Sequence, residues 1–197
     1  MSNIGILGAG SWGTALARTL ILGGHSVTLW SALETELSSL RETRTHKNLP
    51  GMVFPEEVVL TAALPDAILG MDVVVFAVAS PFTRTTARTA APFLKPGQIV
   101  VDVAKGLEAS THMTLTEVIA DELKADGIPM VALCGPTHAE ELALDMPTTI
   151  VAATPDENAA RFVQQVFSNG ILRVYTNPDI KGVEVWNSEN RTRVCSQ

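Results

Sequence analysis

Three glycines near the amino end form the most distinctive chemical pattern in this sequence. Gly8, Gly10 and Gly13 follow the pattern G-x-G-x-x-G between an apolar run at residues 4–7 and a helix-like run at residues 12–22. A strand, a tight turn and a helix start in this order present unpaired backbone N–H groups, and the positive end of a helix dipole, to an anion. The pattern predicts a site for the diphosphate of a dinucleotide.

Each of these glycines has its own predicted task. Gly8 permits the turn, Gly10 lets the backbone come close to a pyrophosphate, and Gly13 lets the helix pack against the strand. A glycine-rich turn without any ligand would show the same letters. Its position directly after a strand and directly before a helix favours dinucleotide binding.

Other candidate residues follow later strands. In an open α/β sheet, ligands bind beyond the carboxyl ends of the strands. Lys105 comes directly after an apolar strand predicted at residues 99–103, so it is placed to reach a ligand, although a solvated loop lysine fits the local sequence equally. Phe82 follows the strand predicted at residues 72–78 and is either a contact of a nicotinamide ring or a core aromatic.

A further glycine and threonine follow the strand predicted at residues 130–134. Gly135 precedes a predicted helix, and the hydroxyl of Thr137 with the first N–H groups of that helix could hold a phosphate. Helix capping alone explains Thr137 equally well.

The residues that would distinguish NAD from NADP are ambiguous. An acidic residue that binds a ribose hydroxyl belongs about 20 residues after the glycines, at the end of the second strand. Glu34 comes slightly late and is more typical of a first-turn helix carboxylate. Because no arginine precedes Arg41 to hold a 2′-phosphate, the sequence leaves NAD and NADP open.

Predicted strands and helices alternate along the chain. This alternation predicts an α/β fold, a Rossmann-type doubly wound and mostly parallel sheet with helices on both faces. Residues 43–57 contain two prolines and a glycine and predict a long surface loop. Besides residues 4–7, the predicted strands are 26–30, 58–60, 72–78, 99–103, 130–134, 148–153 and 172–175, and the predicted helices are 12–22, 33–41, 64–69, 83–93, 113–123 and 157–167.

Composition restricts the class of protein. The 197 residues are 46% hydrophobic and carry a net charge of −7, which argues against a nucleic-acid partner or an anionic membrane surface. Two cysteines, no leader pattern and no membrane-spanning run predict a cytoplasmic protein. The four histidines lack ligand spacing, so no metal site is predicted. A serine hydrolase is disfavoured because G-x-S-x-G is absent.

Five motifs in order carry a family resemblance. They are GAGSWGTALA at residues 8–17, KNLPG at 47–51, AKGLE at 104–108, CGPTHAEELA at 134–143 and DIKGVE at 179–184. Over residues 3–184 the sequence resembles NAD(P)-dependent glycerol-3-phosphate dehydrogenase. The resemblance implies reversible hydride transfer between NAD or NADP and dihydroxyacetone phosphate, which yields sn-glycerol 3-phosphate for phospholipid synthesis.

The resemblance also assigns site residues. It implies that the dinucleotide is held by Gly8, Gly10, Ser11, Trp12 and Gly13 and flanked by Phe82 and Ala139, and that the substrate meets Lys105, Gly135 and Thr137. Lys105 is expected to contact both the cofactor and the substrate. It would act as one of two lysines, one a general base and the other a cation that lowers the pKa of the substrate hydroxyl.

The sequence departs from the family after Glu184. The position of the family's second lysine holds Asn190, and asparagine cannot accept a proton near neutral pH. We therefore expect a cofactor domain at residues 1–184, a disordered tail at residues 185–197, no second helical domain, and a chain that binds cofactor without turnover.

Two other functions stay open at this point. One is a related hydroxyacid or ketopantoate-type reductase domain, and the other is a non-catalytic dinucleotide-binding or interaction module. Oligomeric state is open as well, although an exposed sheet edge or domain interface could pair two chains into a homodimer.

Overall fold

The computed structural model describes residues 1–124 and 127–194, with side chains up to residue 188. The strands are β1 Asn3–Leu7, β2 Ser26–Trp30, β3 Val59–Thr61, β4 Val73–Phe76, β5 Ile99–Asp102, β6 Met130–Cys134, β7 Thr148–Ala153 and β8 Leu172–Asn177. The helices are α1 Ser11–Leu22, α2 Glu34–Thr43, α3 Thr83–Ala90, α4 Leu115–Leu123, α5 Ala139–Ala143, α6 Glu157–Phe167 and α7 Ile180–Val194. Short 3₁₀ turns at Leu64–Ala67 and Ser80–Phe82 precede β4 and α3.

The strands form one sheet in the order β3-β2-β1-β4-β5-β6-β7-β8. Neighbouring strands are parallel except for β6 and β7, which are antiparallel. The chain builds outward from β1 to β3 and then crosses to β4 on the other side of β1. The carboxyl ends of β1 and β4 therefore flank a crevice at the point where the strand order reverses. The predicted doubly wound, mostly parallel sheet is confirmed.

The central strands are apolar throughout because helices cover both faces of the sheet. In β4, Val73 and Val75 join the core on the side of α1, α5 and α6, while Val74 and Phe76 join the core on the side of α3 and α4. All four side chains are fully buried. Among the described residues, no helix combines the length and the apolar character needed to cross a membrane.

The segment predicted as a surface loop is only partly at the surface. Residues 44–57 contain no regular helix or strand, but Leu49, Met52 and Phe54 are buried at 2% exposure or less in the core on the α1 side. The prolines and the glycine that break periodicity do not prevent these apolar side chains from packing. The segment is therefore fixed against the domain.

The structure differs from the expected disordered tail. Helix α7 runs without a break across the boundary predicted after residue 184, and residues 195–197 lie outside the described residues. Ile180 and Val183 pack against an apolar cluster on β6 and β7, and Glu184 and Asn187 are buried. Positions 180, 183, 184 and 187 share one helix face. Two of the four are polar, so the sequence shows no apolar period here.

Candidate functional site

The glycine turn after β1 is packed too closely for side chains. Gly8 has a φ of 122°, and its N–H donates to the carbonyl of Trp30 at 2.8 Å. A Cβ at Gly8 would lie 2.7 Å from the carbonyl oxygen of Ala77, and a Cβ at Gly13 would lie 2.0 Å from that of Gly8. Gly8 and Gly13 are thus needed for the turn and for the approach of α1 to the sheet.

Gly10 differs from these two glycines. Its φ of −69° and ψ of 178° suit any residue, and a Cβ there would meet no atom within 4 Å. It faces a cavity together with Ser11 and Trp12, at the start of α1, where no side chain caps the helix. Because the first N–H groups of a helix lack intrahelical partners, they are available to a ligand in this cavity.

This first cavity has a volume of about 1100 Å³ and lies beyond the carboxyl ends of β4, β5 and β6. It brings together seven of the residues predicted from sequence. These are Gly10, Ser11, Trp12, Lys105, Gly135, Thr137 and Ala139. Gly8 and Phe82 line a second cavity instead, and Gly13 packs beneath the turn.

Lys105 links the loop after β5 to the loop after β6. Its Nζ lies 3.3 Å from the carbonyl oxygens of both Gly135 and Thr137, to which it donates. The N–H of Thr137 donates to the Gly135 carbonyl at 2.9 Å, so this segment is a tight turn before α5. Thr137 therefore lies two residues ahead of α5 and outside its first turn.

A second cavity of about 580 Å³ adjoins the first beside the end of β2. Gly10 and residues 77–79 line both cavities. Ser31 and Glu36 lie at the β2 side of this second cavity. Phe82, with 64% of its surface exposed, lines the second cavity and not the cavity that holds Lys105. Phe82 therefore lies on the β2 side of the crevice and apart from the cavity of Lys105.

Glu34 is absent from the lining of either cavity. Its carboxylate pairs with Arg41 at 2.6 Å, which agrees with its interpretation as a helix carboxylate. Sequence reasoning missed Glu36, which accepts a hydrogen bond from the Ser31 hydroxyl at 2.6 Å. The sequence predicts an acidic residue at the end of β2 itself, whereas Glu36 returns to the strand end from within α2.

Buried acidic groups lie behind Lys105. Asp102 ends β5 with 1% exposure, and its Oδ2 has no hydrogen-bond partner within the described part of the chain. Burial, followed by the charge of Glu184, raises the pKa of Asp102 well above its ordinary value. Burial also raises the pKa of Glu184, although that carboxylate accepts from the N–H and hydroxyl of Thr116. The Cys134 thiol has a pKa raised to about 12, first by burial and then by Asp102 and Glu184.

Helix α7 completes the wall of the first cavity. Trp186 and Asn187 line it, although both belong to the predicted disordered tail. No signal in the sequence pointed to these two residues, because the resemblance ends at Glu184. The position of Asn190 on α7 is described, but its side chain is not.

Comparison with known proteins agrees with this geometry. Residues 3–160 match the family model described as the N-terminus of NAD-dependent glycerol-3-phosphate dehydrogenase. The chain is 56% identical over 189 residues to glycerol-3-phosphate dehydrogenase [NAD(P)+] 2 of Lactobacillus delbrueckii subsp. bulgaricus, covering 94% of this chain and 56% of the relative. It is 45% identical to the Agathobacter rectalis enzyme of the same name, with 95% of this chain and 56% of that protein covered.

A solved structure gives the same result. The crystal structure of glycerol-3-phosphate dehydrogenase from Coxiella burnetii matches with a TM-score of 0.87 at 30% identity, over 94% of this chain and 57% of that one. The chain thus spans a little over half the length of these relatives. Because the family model covers most of the chain, we conclude that it belongs to the NAD-dependent glycerol-3-phosphate dehydrogenase family.

Proposed function

We propose that this chain binds NAD(H) or NADP(H) across its two cavities and supplies the cofactor domain of a glycerol-3-phosphate dehydrogenase. The proposed reaction interconverts dihydroxyacetone phosphate and sn-glycerol 3-phosphate by hydride transfer. Family membership supports this choice over a hydroxyacid or ketopantoate-type reductase. The presence of Lys105 in the first cavity supports it over a non-catalytic module.

The observation that carries the proposal is the meeting of the two cavities at Gly10. The first turn of α1 lies at this junction, where a diphosphate would accept hydrogen bonds from its N–H groups. The second cavity beside β2 would then take the adenosine half of the dinucleotide. The first cavity, which Lys105 lines, would take the nicotinamide half.

The chain's own groups suit alcohol oxidation at that end. A bound nicotinamide ring supplies the hydride acceptor. The Lys105 ammonium would stabilise negative charge on the substrate oxygen and so lower the pKa of the hydroxyl. Its contacts with the Gly135 and Thr137 carbonyls hold the side chain in place. Gly135 and Thr137 are the proposed substrate neighbours, and Ala139 is a proposed neighbour of the cofactor.

Titration of the purified chain with NADH, followed by tryptophan fluorescence and calorimetry, tests cofactor binding. The informative variant is Gly10→Ala. An added methyl at Gly10 meets open space in the protein and would obstruct only a ligand against the backbone. We expect unchanged thermal stability and a Kd at least about tenfold higher, a loss of about 1.4 kcal/mol.

Gly170→Ala is the matched control. It also adds a methyl in open space, but Gly170 lines neither cavity. The control should bind NADH like the original chain. Equal Kd values for Gly10→Ala and the original chain would contradict the proposed diphosphate site. If the original chain failed to bind either cofactor at millimolar concentration, only an interaction module would remain.

The absence of turnover in this chain stays a prediction. It depends on Asn190, which stands where the family places a proton-accepting lysine. Measurable oxidation of sn-glycerol 3-phosphate by the purified chain would contradict it. A cytoplasmic location, a homodimer and a role in phospholipid synthesis belong to the same proposal. Composition supports the location, an exposed sheet edge or domain interface supports the homodimer, and the family resemblance supports the metabolic role.

A further inference from the structure

The β2 side of the second cavity is built around one carboxylate. Ser31, directly after β2, is 3% exposed, and its hydroxyl donates to Glu36 Oε2 at 2.6 Å. The N–H of Leu33 donates to the same hydroxyl oxygen at 3.1 Å. Ser31 is fixed further by its own N–H, which donates to the Thr61 carbonyl at 3.3 Å. Glu36 is therefore held at the cavity wall.

The glycine turn lies next to the end of β2, close to this carboxylate. The N–H of Gly8 donates to the carbonyl of Trp30, the residue before Ser31, so the turn and the end of β2 are adjacent. Gly8, Gly10 and Glu36 line the same cavity. An adenosine ribose that continues from a diphosphate at Gly10 would reach Glu36. A carboxylate offers about four acceptor positions, of which Ser31 uses one.

The charged groups that the structure describes around Glu36 do not favour binding of a phosphate. Among the described residues that line the second cavity, none is lysine or arginine. Arg41 instead pairs with Glu34 at 2.6 Å, and Arg44 donates to the Pro55 carbonyl. His46 lies near Glu36, but burial lowers its pKa, and its Nδ1 accepts from the N–H of Asn48. The histidine is therefore mostly uncharged at neutral pH.

We propose that Glu36, positioned by Ser31, makes this chain select NAD(H) over NADP(H). The carboxylate would accept hydrogen bonds from the ribose hydroxyls of NAD(H) and repel the 2′-phosphate of NADP(H). That phosphate brings a charge of roughly −1.5 to −2 at neutral pH into a wall that already carries a negative group. The inference deepens the proposed function and depends on it, since it assumes a dinucleotide at the glycine turn.

The test is a paired titration of the purified chain with NADH and NADPH at the same ionic strength. We expect NADH to bind at least about tenfold more tightly. The Glu36→Gln variant removes the charge and keeps the shape, so the ratio of the two Kd values should fall toward one, chiefly through tighter NADPH binding. A purely structural role of Glu36 would instead weaken both cofactors equally.

Glu34→Gln is the matched control, since it removes the same charge from the same helix turn but outside the cavity. It should leave the ratio unchanged. Equal affinity of the original chain for the two cofactors, or a preference for NADPH, would overturn the inference while leaving the proposed function intact. A ratio unaltered by Glu36→Gln would also overturn it. If neither cofactor binds, the inference fails together with the proposed function.

Discussion

At the scale of single residues, Asp102 is the group whose burial has the clearest energetic consequence. A carboxyl with a folded pKa above its unfolded value is bound to its proton more firmly in the folded state. The contribution of Asp102 to stability is therefore highest in acid and falls as the pH rises from the ordinary value of 3.8 through the raised pKa. As the pH rises, the carboxyl must either keep its proton or take a buried charge near Glu184, and both states oppose folding.

Asp102→Asn should therefore stabilise the chain at pH 8. We expect Tm to rise by a few degrees, since 1 kcal/mol corresponds to about 2–4 °C in a chain of this size. Near pH 4 the two proteins should differ little, because aspartate at position 102 is then protonated in the folded state. Thermal unfolding from pH 4 to pH 8 measures the difference, and parallel profiles would show that Asp102 does not carry this penalty.

Gly13→Ala tests the packing role assigned to the third glycine. The added Cβ would lie 2.0 Å from the Gly8 carbonyl oxygen, so either the turn or α1 must move. Overpacking of this kind costs about 1–3 kcal/mol. Urea unfolding should show the loss, whereas Gly170→Ala should change the free energy of unfolding much less. Equal stability of the two variants would contradict the packing role.

Residue roles are predictable from the sequence where local spacing determines them. The conformational and packing roles of Gly8 and Gly13 follow from their place between a strand and a helix, and the structure agrees. The neighbourhood of Asp102 and Glu184 was not predictable, because 82 positions separate them in the chain. Glu36 was missed because a helix turn, and not the strand end itself, carries it to the cavity.

At the scale of elements, α7 is the part of the structure that closes the first cavity on its far side. Val183 on this helix packs against the cluster formed by Ala132, Cys134 and Ala153. This contact covers Cys134, which is only 4% exposed. The docked helix thus shields the thiol and places Trp186 and Asn187 in the cavity wall.

Val183→Asp should undock α7. A charged group in an apolar contact carries a large desolvation cost. We expect the rate of Cys134 modification by a thiol reagent to rise at least about tenfold, with Cys195 replaced by serine in every protein. Val185→Asp, at a position on the same helix with 36% exposure, is the control. Similar rates in both variants would argue against the docking contact.

Helices α3 and α4 are joined by a charged cluster centred on Arg84. Its guanidinium contacts Glu108 at 2.7 Å, Asp121 at 2.6 Å and Glu122 at 2.8 Å. Hydrogen bonding to Arg84 is the main reason that the pKa of Glu108 falls to about 2. The pKa of Glu122 also falls to about 2, through Arg88 first and Arg84 second.

Arg84→Gln should raise the pKa of Glu108 toward its ordinary value of 4.5. Carboxyl NMR titration measures this directly. The Arg84–Glu108 pair stabilises the folded chain above pH 4.5, and this contribution is lost as the pH falls toward 2. The free energy of unfolding of the variant should therefore change less with pH between 2 and 4.5. Arg161→Gln, which breaks the exposed pair with Glu157, should leave Glu108 unchanged. A Glu108 pKa still near 2 in Arg84→Gln would refute the assignment.

Most elements were predictable because their apolar periods are simple. The bounds of β2, β6, β7 and α6 coincide with the predicted ranges. Helix α7 was missed because its buried face carries polar groups that are satisfied only after folding, as when Glu184 accepts from Thr116. The sequence of residues 43–57 predicts a surface loop because turn residues mark a loop but do not show whether its apolar side chains are buried.

At the scale of the whole molecule, strand order decides where the site lies. The reversal between β1 and β4 opens one crevice, and the two cavities occupy it from either side of Gly10. The sheet class followed from the alternation of elements. The division of the crevice into two cavities is not predictable from that alternation, because it depends on how residues 77–79 lie between the cavities. That division accounts for the placement of Phe82 on the β2 side.

In the proposed function, the backbone at the start of α1 binds a diphosphate at the junction of the two cavities. A crystal structure of the chain with NAD⁺ measures this directly. The diphosphate oxygens should lie about 3 Å from backbone nitrogens of residues 11–13. The adenosine should lie beside Glu36 and the nicotinamide in the cavity of Lys105. A diphosphate bound away from the glycine turn, or a dinucleotide lying in the reverse direction, would contradict the proposed function.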